Sequence, residues 1–172
     1  MKTAYLLLAI PLAALVAAGC TGTGYTMEDQ YRPGIKTVAV PVWSRGKDVY
    51  RREVEFRMTE AVIKQIELET PYKVVNKLRA DTQLTGRIDA ISQQVLSYDS
   101  KTGAAREIEL VITMSFVWTD LRSGKELARN NALSVSGTYI PLSPYTEDFY
   151  QGSETVLNKA ARMVVEHMAE PW

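Results

Sequence analysis

Strict alternation of apolar and polar residues in one segment constrains the fold more than any other feature of this chain. Apolar side chains fill every second position there: Ile108, Leu110, Ile112, Met114, Phe116 and Trp118. Successive side chains of a β-strand point to opposite faces of the sheet, so the pattern predicts one long strand with a buried face. Thr113 and Ser115, which lie between the apolar positions, predict a polar opposite face.

Two flanking segments extend this strand into a sheet. Alternation also runs from Leu84 to Tyr98 and through Leu127–Ile140. A loop at Asp99–Ala105 and a turn at Asp120–Lys125, in which Gly124 is available for a positive φ, separate the three segments. The sequence therefore predicts an antiparallel meander of three long strands.

The segment that precedes these three strands has a different pattern of apolar residues. A valine-rich strand is predicted over Thr37–Val42, a loop over Trp43–Asp48, and a helix over about Val49–Leu68, where apolar residues recur at helical spacing. Pro71 ends that helix, and a second short strand is predicted over Tyr72–Asn76. Two strands joined through a helix favour a parallel βαβ unit.

A final helix is predicted from about Glu147 to Ala169, after Pro141 and Pro144 end the meander. The fold class is therefore α+β, with two helices packed on a mixed sheet. We expect both helices on the face marked by Ile112, Phe116 and Trp118. Residues 35–172 are predicted to form a single α+β sandwich domain, since their number suits one core.

The amino terminus predicts export and anchoring. Lys2 precedes an apolar run, Tyr5–Ala18, that is too short to cross a membrane comfortably, and small residues follow it, which is typical of a secretory signal. Ala17-Ala18-Gly19-Cys20 resembles the bacterial lipobox. That resemblance implies a signal peptide over residues 1–19, cleavage before Cys20 and acylation of Cys20, with chains such as palmitate. The alternative is an uncleaved helix followed by an unmodified thiol.

Residues 20–34 are predicted to form a lipidated cysteine and a polar, glycine-containing tether. An aspartate directly after the cysteine usually signals inner-membrane retention in such lipoproteins, so Thr21 resembles the outer-membrane address. Several acyl chains would hold the protein durably at a membrane surface.

Charge and residue inventory exclude several functions. The 20 basic and 20 acidic residues balance, which argues against nucleic acid as a partner, although a local basic patch for an anionic lipid head is compatible with this balance. His167 is the only histidine, and no phosphate-binding glycine motif occurs. We therefore expect no metal, no cofactor and no enzymatic activity. A periplasmic hydrolase using paired carboxylates such as Glu107 and Glu109 is the alternative.

The sheet face opposite the apolar row is predicted to be rich in hydroxyl groups. Its predicted members are Thr85, Gln93, Ser97, Thr113, Ser115, Ser134, Ser136 and Thr138, interrupted by Ile91, Val95, Val111 and Val117. Such a face is either solvated, as is common in antiparallel sheets, or docked against a polar wall such as the lumen of an outer-membrane barrel.

Several short motifs in order resemble one family. They are Gly19-Cys20, Gly24-Tyr25, Ile35-Lys36-Thr37-Val38-Ala39-Val40-Pro41, Thr70-Pro71-Tyr72-Lys73-Val74-Val75, Ala80-Asp81-Thr82-Gln83-Leu84-Thr85-Gly86-Arg87-Ile88, and Val117-Trp118-Thr119-Asp120 with Gly124-Lys125. This series is similar to the lipopolysaccharide-assembly lipoproteins of the LptE family. The resemblance implies two helices on a mixed sheet and a lipid-anchored location on the periplasmic side of the outer membrane. It also implies a role inside the barrel partner LptD, in barrel assembly and in placing lipopolysaccharide at the cell surface.

The resemblance implies a candidate function for the charged residues at the loop tips. Lys101 and Arg106 flank one loop of the meander, and Arg122 and Lys125 belong to the turn at the other end. These four residues are candidates for contact with lipopolysaccharide phosphates through charge-assisted hydrogen bonds. The alternative for each is the ordinary solvated charge of a turn.

A second functional class stays open. Val38-Ala39-Val40-Pro41 also resembles outer-membrane lipoproteins that activate a peptidoglycan synthase or support a secretion pore. Such proteins need a long tether across the periplasm, and the predicted tether is short.

Overall fold

The computed structural model describes residues 31–141 and 148–169. The predicted signal peptide, Cys20, most of the predicted tether and the predicted helix start at Glu147 lie outside the described residues. The elements are β1 Thr37–Ala39, β2 Ser44–Arg45, α1 Val54–Glu69, β3 Lys73–Val74, a 3-10 turn Lys77–Arg79, β4 Thr82–Tyr98, β5 Ala105–Asp120, β6 Glu126–Tyr139 and α2 Phe149–Glu166.

All the strands belong to one mixed sheet. Its order is β3-β1-β4-β5-β6, and β2 pairs with β4 beside that path. β1 runs parallel to both β3 and β4, whereas β4, β5 and β6 form antiparallel pairs. The predicted α+β class, the parallel βαβ unit and the antiparallel meander are confirmed.

The structure corrects three predicted boundaries in the first half. Ser44 and Arg45, predicted to be in a loop, pair with β4 opposite Arg87 and Ile88. β1 ends at Ala39 rather than at Val42. The first helix begins at Val54 rather than near Val49, because Glu53 adopts a left-handed conformation with φ of 69° that interrupts helical geometry.

Both helices pack on one face of the sheet, as predicted. Ile112, Phe116 and Trp118 of β5 are buried on that face. α1 covers it with Val54, Met58, Val62 and Ile66, and α2 with Val156, Leu157, Ala160, Ala161, Val164 and Val165. The small side chains of Ala160 and Ala161 let α2 lie close to its neighbours. This packed core is the main source of stability, because burial of apolar area dominates folding.

Glycines make room for aromatic rings at two places in this core. A Cβ added to Gly86 would lie 2.4 Å from the indole of Trp43, and one added to Gly152 would lie 2.4 Å from the ring of Tyr139. Gly86 therefore has a packing role in the Leu84–Ile88 segment. Trp43, predicted to lie in a loop, is almost fully buried against it.

α2 begins with a capping box. The Asp148 carboxylate accepts a hydrogen bond from the Gln151 backbone N–H at 2.7 Å, and the Gln151 side chain accepts one from the Asp148 N–H at 3.2 Å. These two bonds satisfy amide groups that have no partner within the helix.

β6 forms one edge of the sheet, and two basic side chains donate hydrogen bonds to carbonyl oxygens along this edge. Lys159 Nζ donates to the Ser136 oxygen at 3.2 Å, and Arg32 Nη2 donates to the Leu127 oxygen at 3.0 Å. Neither helix of the described chain combines the length and apolarity needed to cross a membrane.

Candidate functional site

A bulge in β4 decides which side chains reach the open face of the sheet. Ile88 lies opposite Met114, but Ala90 lies opposite Thr113, so Asp89 is an extra residue on this strand. The extra residue exchanges the two faces for the segment that follows it.

The bulge overturns part of the predicted outer face. Ile91 lies opposite Ile112 and Gln93 opposite Leu110, which places both on the helix side. The Tyr139 hydroxyl donates to Gln93 Oε1 at 3.3 Å from that side. Val95, opposite Ile108, belongs to the same side, so these three residues were predicted on the wrong face.

The remaining hydroxyl-bearing residues do share one face. We call this surface the open face and define it by Thr85, Ser92, Thr113, Ser115, Ser134, Ser136 and Thr138. Thr113 pairs with Ser134, and Ser136 and Thr138 follow at alternate positions. Ser92 joins the face because the bulge brings it opposite Val111. Both helices pack on the other side, so the open face lacks a cover from the described residues.

A shallow groove of about 450 Å³ lies on the open face towards its proximal end. Its polar lining comes from Ser44, Thr85, Arg87, Ser115, Arg129 and Asn131. Arg87 Nε pairs with the Asp89 carboxylate at 2.6 Å, and Arg129 Nε donates to Glu126 at 2.8 Å. The two arginine charges are therefore balanced locally, and the groove offers mainly hydroxyl and amide groups.

Asp81 organises one end of the meander, which we call the proximal end and define by residues 31–37, Asp81 and the β5–β6 turn. Its carboxylate accepts hydrogen bonds from the backbone N–H of Lys36 at 3.1 Å, the N–H of Thr37 at 3.0 Å and the Thr37 hydroxyl at 2.8 Å. Arg122 Nη2 forms an ion pair with the same carboxylate. The Lys36 N–H and the Thr37 hydroxyl chiefly lower the pKa of Asp81 to about 2.

The two candidate cations at the proximal end have different surroundings. Arg122 is held by Asp81, and its backbone N–H donates to Asp120 Oδ1 at 2.8 Å. Lys125 is exposed, and its side chain is not ion-paired in the described part of the chain. Arg122 therefore joins the turn to the start of β4.

The distal end, defined by residues 96–106, carries the other two candidates. The Asp99 carboxylate closes the loop by accepting hydrogen bonds from the N–H groups of Lys101 at 3.0 Å and Thr102 at 2.8 Å. The Thr102 N–H chiefly lowers the pKa of Asp99. The side chains of Lys101 and Arg106 are exposed and form no ion pair with any described carboxylate.

The structure therefore separates the four cations into two pairs. β5 has 16 residues and joins the two ends. A strand of this length spans about 50 Å at ~3.3 Å per residue. Exposed apolar side chains, Leu96 and Tyr98, accompany the distal pair.

The remaining chemical candidates are dispersed. His167 Nδ1 lies 2.7 Å from the Met163 carbonyl oxygen, and its ring packs edge-on against Phe116. Glu107 and Glu109 share the open face near its distal end, opposite Ser97 and Thr138, and His167 lies apart from them on the helix side. No three metal-binding side chains of residues 31–141 and 148–169 are grouped closely enough to hold an ion.

Sequence reasoning missed one feature of the proximal end and one next to it. Asp81 lies directly before β4, and its structural role follows only from its hydrogen-bond partners, which are distant in the sequence. Leu78, in the 3-10 turn, is 94 % exposed. The segment Asn76-Lys77-Leu78-Arg79 does carry a signal for this turn, since Asn76 accepts the Leu78 N–H at 3.3 Å as a local cap.

Solved structures share this architecture. Lipoprotein B from Nitrosomonas europaea matches with a TM-score of 0.56 and 17% identity, covering 84% of this chain and 88% of that chain. A protein from Chlamydia trachomatis matches with a TM-score of 0.53 and 7% identity over 76% of this chain and 94% of its own. A protein from Xanthomonas campestris matches with a TM-score of 0.52 and 10% identity, covering 82% of this chain and 90% of that chain. At these identities the likeness concerns the fold.

The chain is thus an α+β sandwich with one covered and one open sheet face, a fold that also occurs in a bacterial lipoprotein. No curated protein sequence matches it significantly. The model of the lipopolysaccharide-assembly family LptE matches residues 35–170, so the chain belongs to that family.

Proposed function

We propose that this protein is a lipid-anchored outer-membrane lipoprotein that assists assembly of the lipopolysaccharide-inserting barrel LptD and placement of lipopolysaccharide at the cell surface. The observation that carries this proposal is the open face, a hydroxyl-rich sheet surface left free by both helices in a member of the LptE family. The hydroxyl groups can exchange their hydrogen bonds with water for bonds to a polar wall, whereas Glu107 and Glu109, which lie on the same face opposite Ser97 and Thr138, would need polar or cationic partners on that wall.

The proposed anchor is Cys20, cleaved and acylated at the end of residues 1–19. Between Cys20 and Tyr31 the chain has a reach of about 18 Å if flexible. Tyr31 packs edge-on against Tyr72 with ring centroids 5.6 Å apart, and the Arg32 N–H donates to the Tyr72 hydroxyl at 3.1 Å. The chain therefore enters the domain at the proximal end, which supports placing this end near the periplasmic leaflet.

With the proximal end near the periplasmic leaflet, the two pairs of cations would have different functions. The distal end lies about 50 Å from the proximal end along β5, and a bilayer with its headgroups is about 40–45 Å thick. A meander standing along the membrane normal inside a barrel would bring Lys101 and Arg106 to the level of the outer leaflet. Neither side chain forms an ion pair with a described carboxylate, and the Arg106 charge contributes only the smallest of the effects that lower the pKa of Asp99, which favours contact of both cations with lipopolysaccharide phosphates.

The docking part of the proposal is tested by adding charge to the open face. Ser115→Arg with Ser134→Arg places two buried cations against the proposed wall, whereas Asn158→Arg adds an exposed cation on α2 as a control. We expect recovery of LptD with the affinity-purified double variant to fall at least about tenfold, since a buried unpaired charge is costly. Equal recovery of LptD with both variants, at equal protein levels, would contradict docking through the open face.

The lipopolysaccharide part is tested by charge removal. Lys101→Gln with Arg106→Gln is compared with Lys125→Gln, an exposed lysine at the opposite end. We expect the double variant to bind purified lipopolysaccharide about tenfold more weakly and the control to bind normally. Weakening only by Lys125→Gln would move the contact to the proximal end.

A further inference from the structure

Next to the proximal end lies a cationic surface with a protruding leucine, separate from both the open face and the distal pair of cations. We call it the cationic turn and define it by Lys36, Lys73, Lys77, Leu78 and Arg79. Leu78 is 94 % exposed, and the four basic side chains around it are exposed. No described carboxylate forms an ion pair with any of the four.

Backbone pairing brings these residues together. Thr37 lies opposite Lys73 in the parallel β1–β3 pair, and the Lys73 N–H donates to the Lys36 oxygen at 2.9 Å. The Asp81 backbone N–H donates to the Thr37 hydroxyl at 2.9 Å, which joins the segment after the 3-10 turn to β1. The backbones that carry the four cations therefore meet at one corner of the sheet.

The nearest acidic groups are already engaged. Asp81 accepts three hydrogen bonds from Lys36 and Thr37 and pairs with Arg122. Glu69, at the end of α1, pairs with Arg162 at 3.6 Å. The surface thus keeps an excess of positive charge in a chain whose total charge is balanced.

We infer that the cationic turn rests on the anionic phospholipid headgroups of the leaflet that holds the anchor, with the Leu78 side chain entering the interface. Each lysine or arginine near an anionic membrane surface adds roughly fivefold to binding, and a leucine adds apolar contact. The entry point supports this occupant, because Tyr31 donates its hydroxyl to the Glu69 oxygen at 2.7 Å and packs against Tyr72, next to Lys73. A tether that starts there reaches only about 18 Å.

This inference rests on the proposed anchor at Cys20, and one experiment separates the two. The full-length lipidated protein carries Leu78→Cys, labelled with an environment-sensitive fluorophore, since an acylated Cys20 has no free thiol. It is reconstituted into vesicles of phosphatidylethanolamine with phosphatidylglycerol, or of phosphatidylcholine alone, that contain a quencher on the lipid. Leu96→Cys, labelled at the distal end, is the matched control.

We expect strong quenching at residue 78 in the phosphatidylglycerol vesicles and little at residue 96. Lys73→Gln with Lys77→Gln and Arg79→Gln should lower the docked-to-free ratio about a hundredfold, and high salt should act in the same direction. Equal quenching at residue 78 in phosphatidylcholine, or quenching no greater than at residue 96, overturns the cationic turn as a lipid contact. If quenching at residue 78 requires added lipopolysaccharide, the ligand of the cationic turn is lipopolysaccharide, and the inference of a phospholipid contact is overturned.

Flotation of the vesicles reports on the anchor alone. Protein that floats with both vesicle types but shows no quenching at residue 78 keeps its anchor and loses the proposed contact. Protein that does not float with phosphatidylcholine contradicts the anchor, and the quenching with phosphatidylglycerol then still decides the cationic turn.

Discussion

The proximal and distal ends of the meander carry similar turns but differ in how strongly those turns are joined to the rest of the molecule. At the proximal end Asp81 links β1, β4 and the β5–β6 turn through backbone and side-chain hydrogen bonds. At the distal end Asp99 bonds only within its own loop. The same kinds of residue are therefore structural at one end and available for contact at the other.

The largest expected difference between the ends concerns their aromatic side chains. Trp118, near the proximal end, is fully buried against Tyr72 at a centroid distance of 5.7 Å, whereas Tyr98 is 65 % exposed. We expect Trp118→Ala to lower the free energy of unfolding by about 3–5 kcal/mol and Tyr98→Ala by about 0.5 kcal/mol or less. Urea denaturation measures both, and similar losses would contradict the comparison.

A smaller effect is expected at Asp81, where it depends on pH. The folded pKa of about 2 lies below the ordinary value of 3.8, so the ionised form stabilises the fold above about pH 4. That stabilisation is lost as the pH falls from about 4 to about 2. Asp81→Asn should lower the free energy of unfolding at neutral pH by about 1–2 kcal/mol.

The Asp81→Asn variant should also lose less stability than the wild type between about pH 4 and about pH 2, as measured by urea titrations at each pH. Glu60→Gln, an exposed carboxylate on α1, is the control. If the wild type and Asp81→Asn have parallel pH profiles, Asp81 is not the group that joins the proximal end.

Alanine substitutions at the two turn glycines should strain the backbone to a similar extent, so their effects on stability can be compared directly. Gly103 has φ of 70° and Gly124 has φ of 71°, and both have open space where the Cβ of an alanine would lie. A left-handed alanine costs about 1 kcal/mol. We expect Gly124→Ala to lower the global stability by about that amount, because its turn is joined to β4.

Gly103→Ala should instead raise local hydrogen exchange in residues 96–106 with little change in the global transition. Amide exchange followed by mass spectrometry, together with denaturant curves, distinguishes these outcomes. Equal global losses would show that the distal loop unfolds with the core.

The smallest effect on stability is expected from the distal cations. Lys101→Gln and Arg106→Gln remove exposed charges without ion pairs, so each should change the free energy of unfolding by less than about 0.5 kcal/mol. Thermal denaturation checks this. A large loss would mean that these residues support the fold, and their proposed role in binding lipopolysaccharide would then need another explanation.

The sequence predicted β5 well because apolar neighbours bury its inner side from Leu110 to Trp118. Alternation continued from Ile108 to Trp118 without a bulge on this strand. The two helices were predicted for a similar reason, since apolar side chains at helical spacing must face the sheet.

The sequence predicted β4 less well because a bulge is set by three-dimensional pairing. Ala90 and Ile91 are both apolar, so the change of face at Asp89 leaves no gap in the pattern. β2 was missed since only two residues pair, and the role of Asp81 was missed because its partners come from distant positions. These features depend on contacts between segments, which periodicity does not report.

The outer edge of β6 has a consequence for aggregation. An unprotected strand of this length could add a strand from another copy and start a growing stack. The ammonium group of Lys159 and the guanidinium of Arg32 already bind two carbonyl oxygens along the edge. A second chain would have to displace both cations before it could pair with this edge, which disfavours edge-to-edge stacking of copies.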